Sequence, residues 1–489
     1  MSTETSTGLS AGRQARPMRP AMASVRSGSG HVNGPDVQIV RGYEPSDVDQ
    51  LQVEARPDVV PANGVARARY ARALAAEATI YGLPSVFQYA QMFVQAVDAS
   101  SATYTGFDAW YHQRDVARPG FDVFKTPNVD TLYSNAWLDL TEGPALIRVP
   151  PIRSRYYTLH FLDAYSNSTN LSSRTIGQQG GLFLVTPPGW TGTVPAGARQ
   201  FRVASPYMWI LMRILVRESS EDVEEVRALQ DAVEITPTGD VGRGDFVPTA
   251  PEAVETDWQS FFEALDLSLR ANRHPVHEDA YVYRFRSIGL GGTERVELDA
   301  LDEAVRRGLE AGFGDAMDVI RGARSEYAEP VGDSGWISGS AGEDGFNYLR
   351  RAIRNYIGTG ANLRAEKVFF AAHTTASGAP LDASRTRYVV QLDPPPPVDG
   401  HWSLTLYPTA TGLLYPNEID RYAVAATTAG LEYDADGSLT VLIQHERPDN
   451  VANWLPAPAG PFYLDLRTWE PREAIRRGEW QPGPVTPVS

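Results

Sequence analysis

The chain has 489 residues, 44 basic and 60 acidic side chains, a formal net charge of −16 and no cysteine. That balance argues against nonspecific binding to nucleic acid or anionic lipid. Without thiols there are no disulfides, thiolate metal sites, iron–sulfur clusters or cysteine nucleophile. An apolar fraction of 42% and a charged fraction of 21% are those of an ordinary globular protein, with length for about two to four domains. All the cationic side chains but Lys125 and Lys367 are arginine, so amine nucleophile chemistry has two candidates.

Residues 1–62 are dominated by Ser, Gly, Pro and charge and read as a disordered leader. Residues 1–40 hold no apolar run that would serve as a signal-peptide core. The most apolar short stretch, Met208 to Met212, stops at Arg213, far below the roughly 20 residues of a membrane span. A soluble, cytoplasmic protein without membrane association is expected.

Residues 63–245 read as an N-terminal module of two helices and a β-sandwich. Tyr70, Leu74, Ala78 and Tyr81 repeat at helical spacing and predict a helix over 66–81. Gly82 and Pro84 predict its end, with a second helix from Pro84 to Val97. Short β-branched and aromatic runs at 145–149, 156–162, 181–186 and 201–204 follow, broken by turn residues, and predict antiparallel strands. Ser219 with Asp222 opens a helix to about Ala232.

Residues 246–360 read as a helical connecting region. Thr256 with Gln259 opens one helix to about Ala271, and 298–309 and 343–356 supply others. Residues 361–489 return to β texture. The fold class expected is α+β: two antiparallel, jelly-roll-like β-sandwich modules with helices packed before and between them.

An internal match supports two modules of one kind. Tyr156 to Leu162 lies over His401 to Tyr407 with parity kept. Tyr157, Leu159 and Phe161 then share one face, as do Trp402, Leu404 and Leu406.

Candidate chemistry concentrates in two stretches. Between Pro127 and Trp137, Asn128, Asp130, Thr131, Tyr133 and Ser134 are packed together. They offer a carboxylate base, a phenol acid and an orienting amide, or simply a turn into a strand. In the strand Arg155 to Asp163, His160 is the best general acid/base of the chain because imidazole titrates near neutrality. Pairing it with Asp163 requires a bend after Leu162, since the two side chains otherwise point to opposite faces. The alternative is a structural histidine bonded to Thr158 or a backbone carbonyl. His274, His277 and Glu278 have spacing that permits a metal, but Pro275 spoils a regular helix there; no metal and no organic cofactor is expected.

The string Thr126-Pro127-Asn128-Val129-Asp130-Thr131-Leu132-Tyr133-Ser134 is followed by Gly143-Pro144, Arg155-Tyr156-Tyr157 and Phe161 to Tyr165. Together they resemble the N-terminal half of a bacterial and fungal two-part family, domain of unknown function 1254. Its usual partner, domain of unknown function 1214, is resembled by Trp402 to Tyr407, Asn417 with Arg421-Tyr422, Asp436-Gly437-Ser438, Asn453 to Pro458, Phe462 and Trp480-Gln481-Pro482. The resemblance covers about residues 64–485. It implies two sandwich or jelly-roll modules with packed helices, and no settled activity. The chain departs from the family pattern in showing no signal peptide. It also carries Ala372-His373-Thr374-Thr375 where relatives have an Asp-rich turn.

The function expected is a small-molecule enzyme working by hydrolysis, elimination or isomerisation in a cleft where the first sandwich meets the helices or the second module. His160, Asp163, Asp130 and Tyr133 would be catalytic. Asn128, Arg155, Tyr157, Tyr165 and Asn167 would bind a small organic molecule, with Arg155 countering a negative charge. The alternative is a noncatalytic ligand-binding or scaffold protein. The charge permits a homodimer.

Overall fold

The Ala-rich stretch after Asn63 folds as one 29-residue helix, α1 (Gly64–Met92). In the computed structural model the described residues are 59–488 apart from 123–124, 218, 240–243, 273 and 340–341. The expected leader therefore lies outside the described residues as far as residue 58. Asn63 caps α1, its Oδ1 accepting from the amides of Val65 and Ala66. The expected break at Gly82 and Pro84 does not occur, and the helix runs through to a π-helical turn at Phe93–Val97. An interior proline costs about 3 kcal/mol, but Tyr81, Leu83, Val86 and Ala90 around it are fully buried. Burial at roughly 1.5–3 kcal/mol per large apolar side chain outweighs that cost.

The longer helices that follow are α2 (Ser220–Asp231), α3 (Trp258–Ala271), α4 (Glu303–Gly322) and α5 (Tyr348–Ile357). Ser219 caps α2 by accepting from the Asp222 amide, as its spacing predicts. The cap of α3 is Asp257 rather than Thr256, its carboxylate accepting from the Ser260 amide at 3.0 Å. α1 is the hub of a helical core that includes Leu74, Phe261, Leu265, Leu309 and Phe313.

α4 approaches α1 over two glycines. A Cβ on Gly312 would stand 2.4 Å from the Arg72 carbonyl oxygen, and one on Gly308 2.5 Å from Ala71 Cβ. Gly312→Ala is therefore expected to lower stability by about 1–3 kcal/mol, although alanine is the better helix former by about 1 kcal/mol. Thermal unfolding checks this, and an unchanged or higher Tm contradicts the close approach.

The first sandwich contains β1 (Thr131–Asp139), β2 (Ala145–Val149), β3 (Tyr157–Leu162), β4 (Ser168–Ser172), β5 (Gly181–Thr186), β6 (Ala198–Arg202), β7 (Tyr207–Leu215) and β8 (Glu234–Pro237). One sheet has the order β1-β7-β3-β4 and the other β6-β5-β2-β8. The second sandwich contains β9 (Lys367–Ala372), β10 (Arg387–Leu392), β11 (Val398–Pro408), β12 (Ala423–Ala425), β13 (Leu439–Gln444), β14 (Trp454–Pro456), β15 (Phe462–Pro471) and β16 (Thr486–Val488). Its sheets run β9-β15-β11-β12 and β14-β13-β10-β16.

Adding eight to each label of the first sandwich gives the second. The correspondence extends to the edges. Short strands at Tyr111–His112 and Trp336–Ser338 flank β1 and β9. Both sandwiches are antiparallel except for one equivalent pair, β5 with β6 and β13 with β14. The two modules thus share one topology, and the seven-residue overlay falls on the equivalent strands β3 and β11. Tyr157, Leu159 and Phe161 enter the first core, and Trp402, Leu404 and Leu406 the second.

Candidate functional site

Strand alternation that buries Tyr157, Leu159 and Phe161 turns Thr158 and His160 to the opposite face. Register aligns them with polar neighbours. Tyr133, Arg213, Thr158 and Ser172 form one row across the sheet; Asn135, Leu211, His160 and Asn170 form the next. The equivalent face of the second module carries the rows Phe369, Arg467, Ser403 and Lys367, Trp469, His401. Arg213 and Arg467 hold equivalent places, each in the middle strand beside a hydroxyl residue.

These two faces meet. Tyr156 stacks on Trp469 with ring centroids 5.2 Å apart. Tyr407 donates its hydroxyl to the Pro127 carbonyl at 2.6 Å, and Arg467 Nη2 donates to the Thr126 carbonyl at 2.9 Å. Ser172 donates to Glu366 at 2.9 Å, Ser403 to Asp130, and Ser173 to Glu470. The interface between the modules is therefore a polar layer, whereas each module's own core is hydrocarbon.

Charges in the layer are unevenly matched. Arg467 is paired with Asp465 at 2.8 Å and donates to Thr405 Oγ1 at 3.2 Å. Arg213 lies 5.2 Å over the Tyr133 ring, with Nε and Nη1 buried and without partners. The Lys367 ammonium lies 4.8 Å from the Trp469 ring centre and 5.6 Å from that of Phe369. It makes no hydrogen bond or ion pair with the described residues. Burial, then the nearby Arg467 and Arg213 cations, push its pKa down to about 7, against the opposing Asp465 and Asp130 carboxylates. Arg213, Lys367, Tyr133 and Phe369 are only half-buried, so this part of the layer keeps contact with solvent.

His160 is fully buried, and its Nε2 lies 2.8 Å from Ser168 Oγ. Ser168 spends its proton on the Ala361 carbonyl, so the imidazole must donate from Nε2 and leave Nδ1 as an acceptor. Nδ1 has no protein partner. Burial, then Arg213, Arg354 and Lys367, hold the ring's pKa well below its ordinary value, so it is neutral at pH 7. The Tyr156 hydroxyl, Asn170 Oδ1, Glu366 Oε2 and Trp469 Nε1 are further buried polar atoms without partners here. All of them lie in the layer between the two modules.

The structure redistributes the expected site residues. The bend after Leu162 exists, but it closes on itself. Asp163 Oδ1 accepts from the amides of Tyr165 and Asn167, both at 2.8 Å, and Oδ2 accepts from Asn167 Nδ2 at 2.8 Å. The expected His160–Asp163 dyad is therefore not formed, and Ser168 orients the ring. Asn167 is exposed on that turn. Asp130 pairs with a different imidazole. It sits 3.7 Å from His401 Nε2, an ion-pair separation, and accepts from Ser403. Burial opposes its ionisation, but His401, Ser403 and Arg467 prevail and hold its pKa below the usual range.

Asn128 accepts from the amides of Asp130 and Thr131, both at 3.0 Å, which is the turn-building role. Its Nδ2 donates to the Tyr133 hydroxyl, so Asn128, Asp130 and Tyr133 do lie together at the edge of the layer. Asp130 also lines an open cleft of about 630 Å³ with Val129, Arg217, Arg421 and Tyr422.

Three expected ligand contacts lie elsewhere. Arg155 is locked onto Asp222 by two hydrogen bonds of 2.9 and 3.0 Å and onto the Leu215 carbonyl. Tyr157 lies in the first core, its hydroxyl on the Gly177 carbonyl at 2.5 Å. Tyr165 lies in the helical core with its hydroxyl on the Asn272 carbonyl at 3.3 Å. Of the metal option, His274 pairs with Asp279 at 2.7 Å and Glu278 accepts from Tyr81. Among the described residues no group of three or more His, Cys, Asp or Glu is placed to hold a metal, and no helix is long and apolar enough to cross a membrane.

Local pattern does not mark Lys367, Arg213, Tyr156 or Trp469 as site residues. The signals that could find them are rarity and parity: Lys367 is one of two lysines, and Arg213 interrupts an apolar strand on the face that His160 shares.

The chain matches no curated protein. It is similar to the VPA0106 protein from Vibrio parahaemolyticus, with a TM-score of 0.68 and 23% identity over 86% of this chain and 100% of that one, which shows a shared fold. An uncharacterized protein from Burkholderia cenocepacia aligns with a TM-score of 0.39 and 13% identity over 87% of this chain and 89% of its own. Residues 107–237 match the family described as Protein of unknown function (DUF1254), and residues 366–473 match Protein of unknown function (DUF1214). The first segment spans the first sandwich and the second spans the second sandwich except for β16, so the chain matches both families in that order.

Proposed function

We propose that the chain is an enzyme acting by acid–base chemistry on a small organic anion held between the two sandwiches. The observation that carries this reading is that two cations without acceptors, Arg213 and Lys367, both act electrostatically on an imidazole whose free nitrogen is a proton acceptor. The cations hold the anion, and the rings of Trp469, Phe369 and Tyr133 give it flat apolar walls. His160 takes a proton at Nδ1. The Tyr156 hydroxyl, kept protonated by burial and by the Glu366 carboxyl, returns one. Hydrolysis, elimination and isomerisation all use such a pair. The reading includes a cytoplasmic setting and a small molecule as the partner.

The test is untargeted. Purified protein is incubated with a mixture of small organic acids, and depletion is followed by mass spectrometry beside His160→Gln. The expected result is that the wild type consumes an acid and His160→Gln retains binding without turnover. Binding by both with turnover by neither favours the noncatalytic ligand-binding alternative. Binding by neither contradicts the proposal.

A further inference from the structure

The Lys367 side chain combines properties seldom found in a surface lysine. It has no hydrogen-bonding or ionic partner among the described residues, it is flanked by two aromatic rings, and it feels the charge of Arg213, whose Nε and Nη1 are without partners. Removal from water and the neighbouring cations favour the neutral, nucleophilic amine, against the two ring faces, which hold an ammonium. We propose that Lys367 forms an imine with the carbonyl carbon of a small oxo acid whose carboxylate rests on Arg213. This assignment rests on the anion-binding reading above and adds the substrate class and the attacking atom.

The step balances without a further reagent. The Nζ lone pair of the neutral amine attacks the carbonyl carbon and a C–N bond forms while the carbonyl electrons move to oxygen. The nitrogen's two protons leave with that oxygen as water, and the C=N bond is left. His160 Nδ1, Tyr156 and solvent on the half-buried side are the available proton carriers. Depression of the Lys367 pKa to about 7 by burial and neighbouring arginines makes neutral amine abundant at physiological pH. At a lysine's ordinary pKa of about 10.4, neutral amine is about a thousandth of the total.

The chain supplies its own control. Lys125, the other lysine, is exposed and donates to the Thr411 carbonyl at 2.7 Å. Full-length protein is incubated at pH 7 with pyruvate and sodium cyanoborohydride, and the adduct is located by peptide mass spectrometry. The expected result is labelling of Lys367 in preference to Lys125 by about tenfold or more. Arg213→Met should reduce labelling by pyruvate and leave labelling by acetaldehyde, which has no carboxylate. Lys367→Arg should keep pyruvate binding, read by tryptophan fluorescence, and lose the adduct. Equal labelling of both lysines, or none at Lys367, overturns the assignment. If pyruvate still perturbs the fluorescence in that case, anion binding stands and only the covalent step falls; if it does not, both fall.

Discussion

Replacing Lys367 by methionine should make the protein more stable at pH 6–7, with the advantage shrinking as pH rises. The folded amine titrates near 7 and an unfolded lysine near 10.5. Below about 7 both states hold the proton, and the full cost of enclosing the ammonium is present. Between 7 and 10.5 the unfolded state binds more protons, so wild-type stability rises with pH across that window. Every tenfold difference in proton affinity between the two states is worth about 1.4 kcal/mol. Because the side chain keeps some solvent contact, on the order of 2 kcal/mol is expected rather than the full product. Thermal unfolding of both proteins at several pH values reads this directly. Parallel curves would show that Lys367 is not held in an unfavourable charged state. The same variant should lose affinity for small organic anions, so stability and binding move in opposite directions, the signature of a group kept for function.

The second large effect is purely structural. Arg155→Met should cost about 3 kcal/mol, because Asp222 loses its buried bidentate partner and keeps only the looser Arg217 guanidinium at 3.4 Å. The Arg155 side chain is 1% exposed and that of Asp222 9%. Asp222 also accepts from the Arg217 amide at 2.7 Å, which fixes the chain entering α2. The double variant Arg155→Met with Asp222→Leu should recover much of the loss, since paired apolar replacement removes the stranded charge. Denaturant unfolding of the two singles and the double completes the cycle. A selective loss of anion binding in a fully stable Arg155→Met would instead restore Arg155 to the ligand site.

Arg155 shows where reading the sequence stops. The strand that follows it is legible, and so is the sandwich, because apolar parity across Tyr157, Leu159 and Phe161 fixes which face is core. The same parity places Thr158 and His160 on the other face. What covers that face depends on contacts between residues more than 190 positions apart, such as Ser172 with Glu366. Local pattern carries no record of them. The chain therefore names His160 but not its company, and cations stand around it where acids are expected. Asp163 is captured by its own turn, a local choice that a short acidic side chain after a strand always has available. Pro84 fails as a helix stop for the opposite reason: tertiary burial outweighs a local penalty. The repeated topology is visible only as one seven-residue echo, since strand order leaves no mark on composition.

The most direct measurement is lysine NMR. With two lysines in the chain, protein labelled with 13C at the lysine ε-carbon gives two signals that Lys367→Arg assigns. One signal is expected to titrate near pH 7 and to move to higher pKa when pyruvate or acetate is added, with Arg213→Met weakening that response. Two signals that both titrate at the ordinary lysine value and ignore added anions would contradict the site.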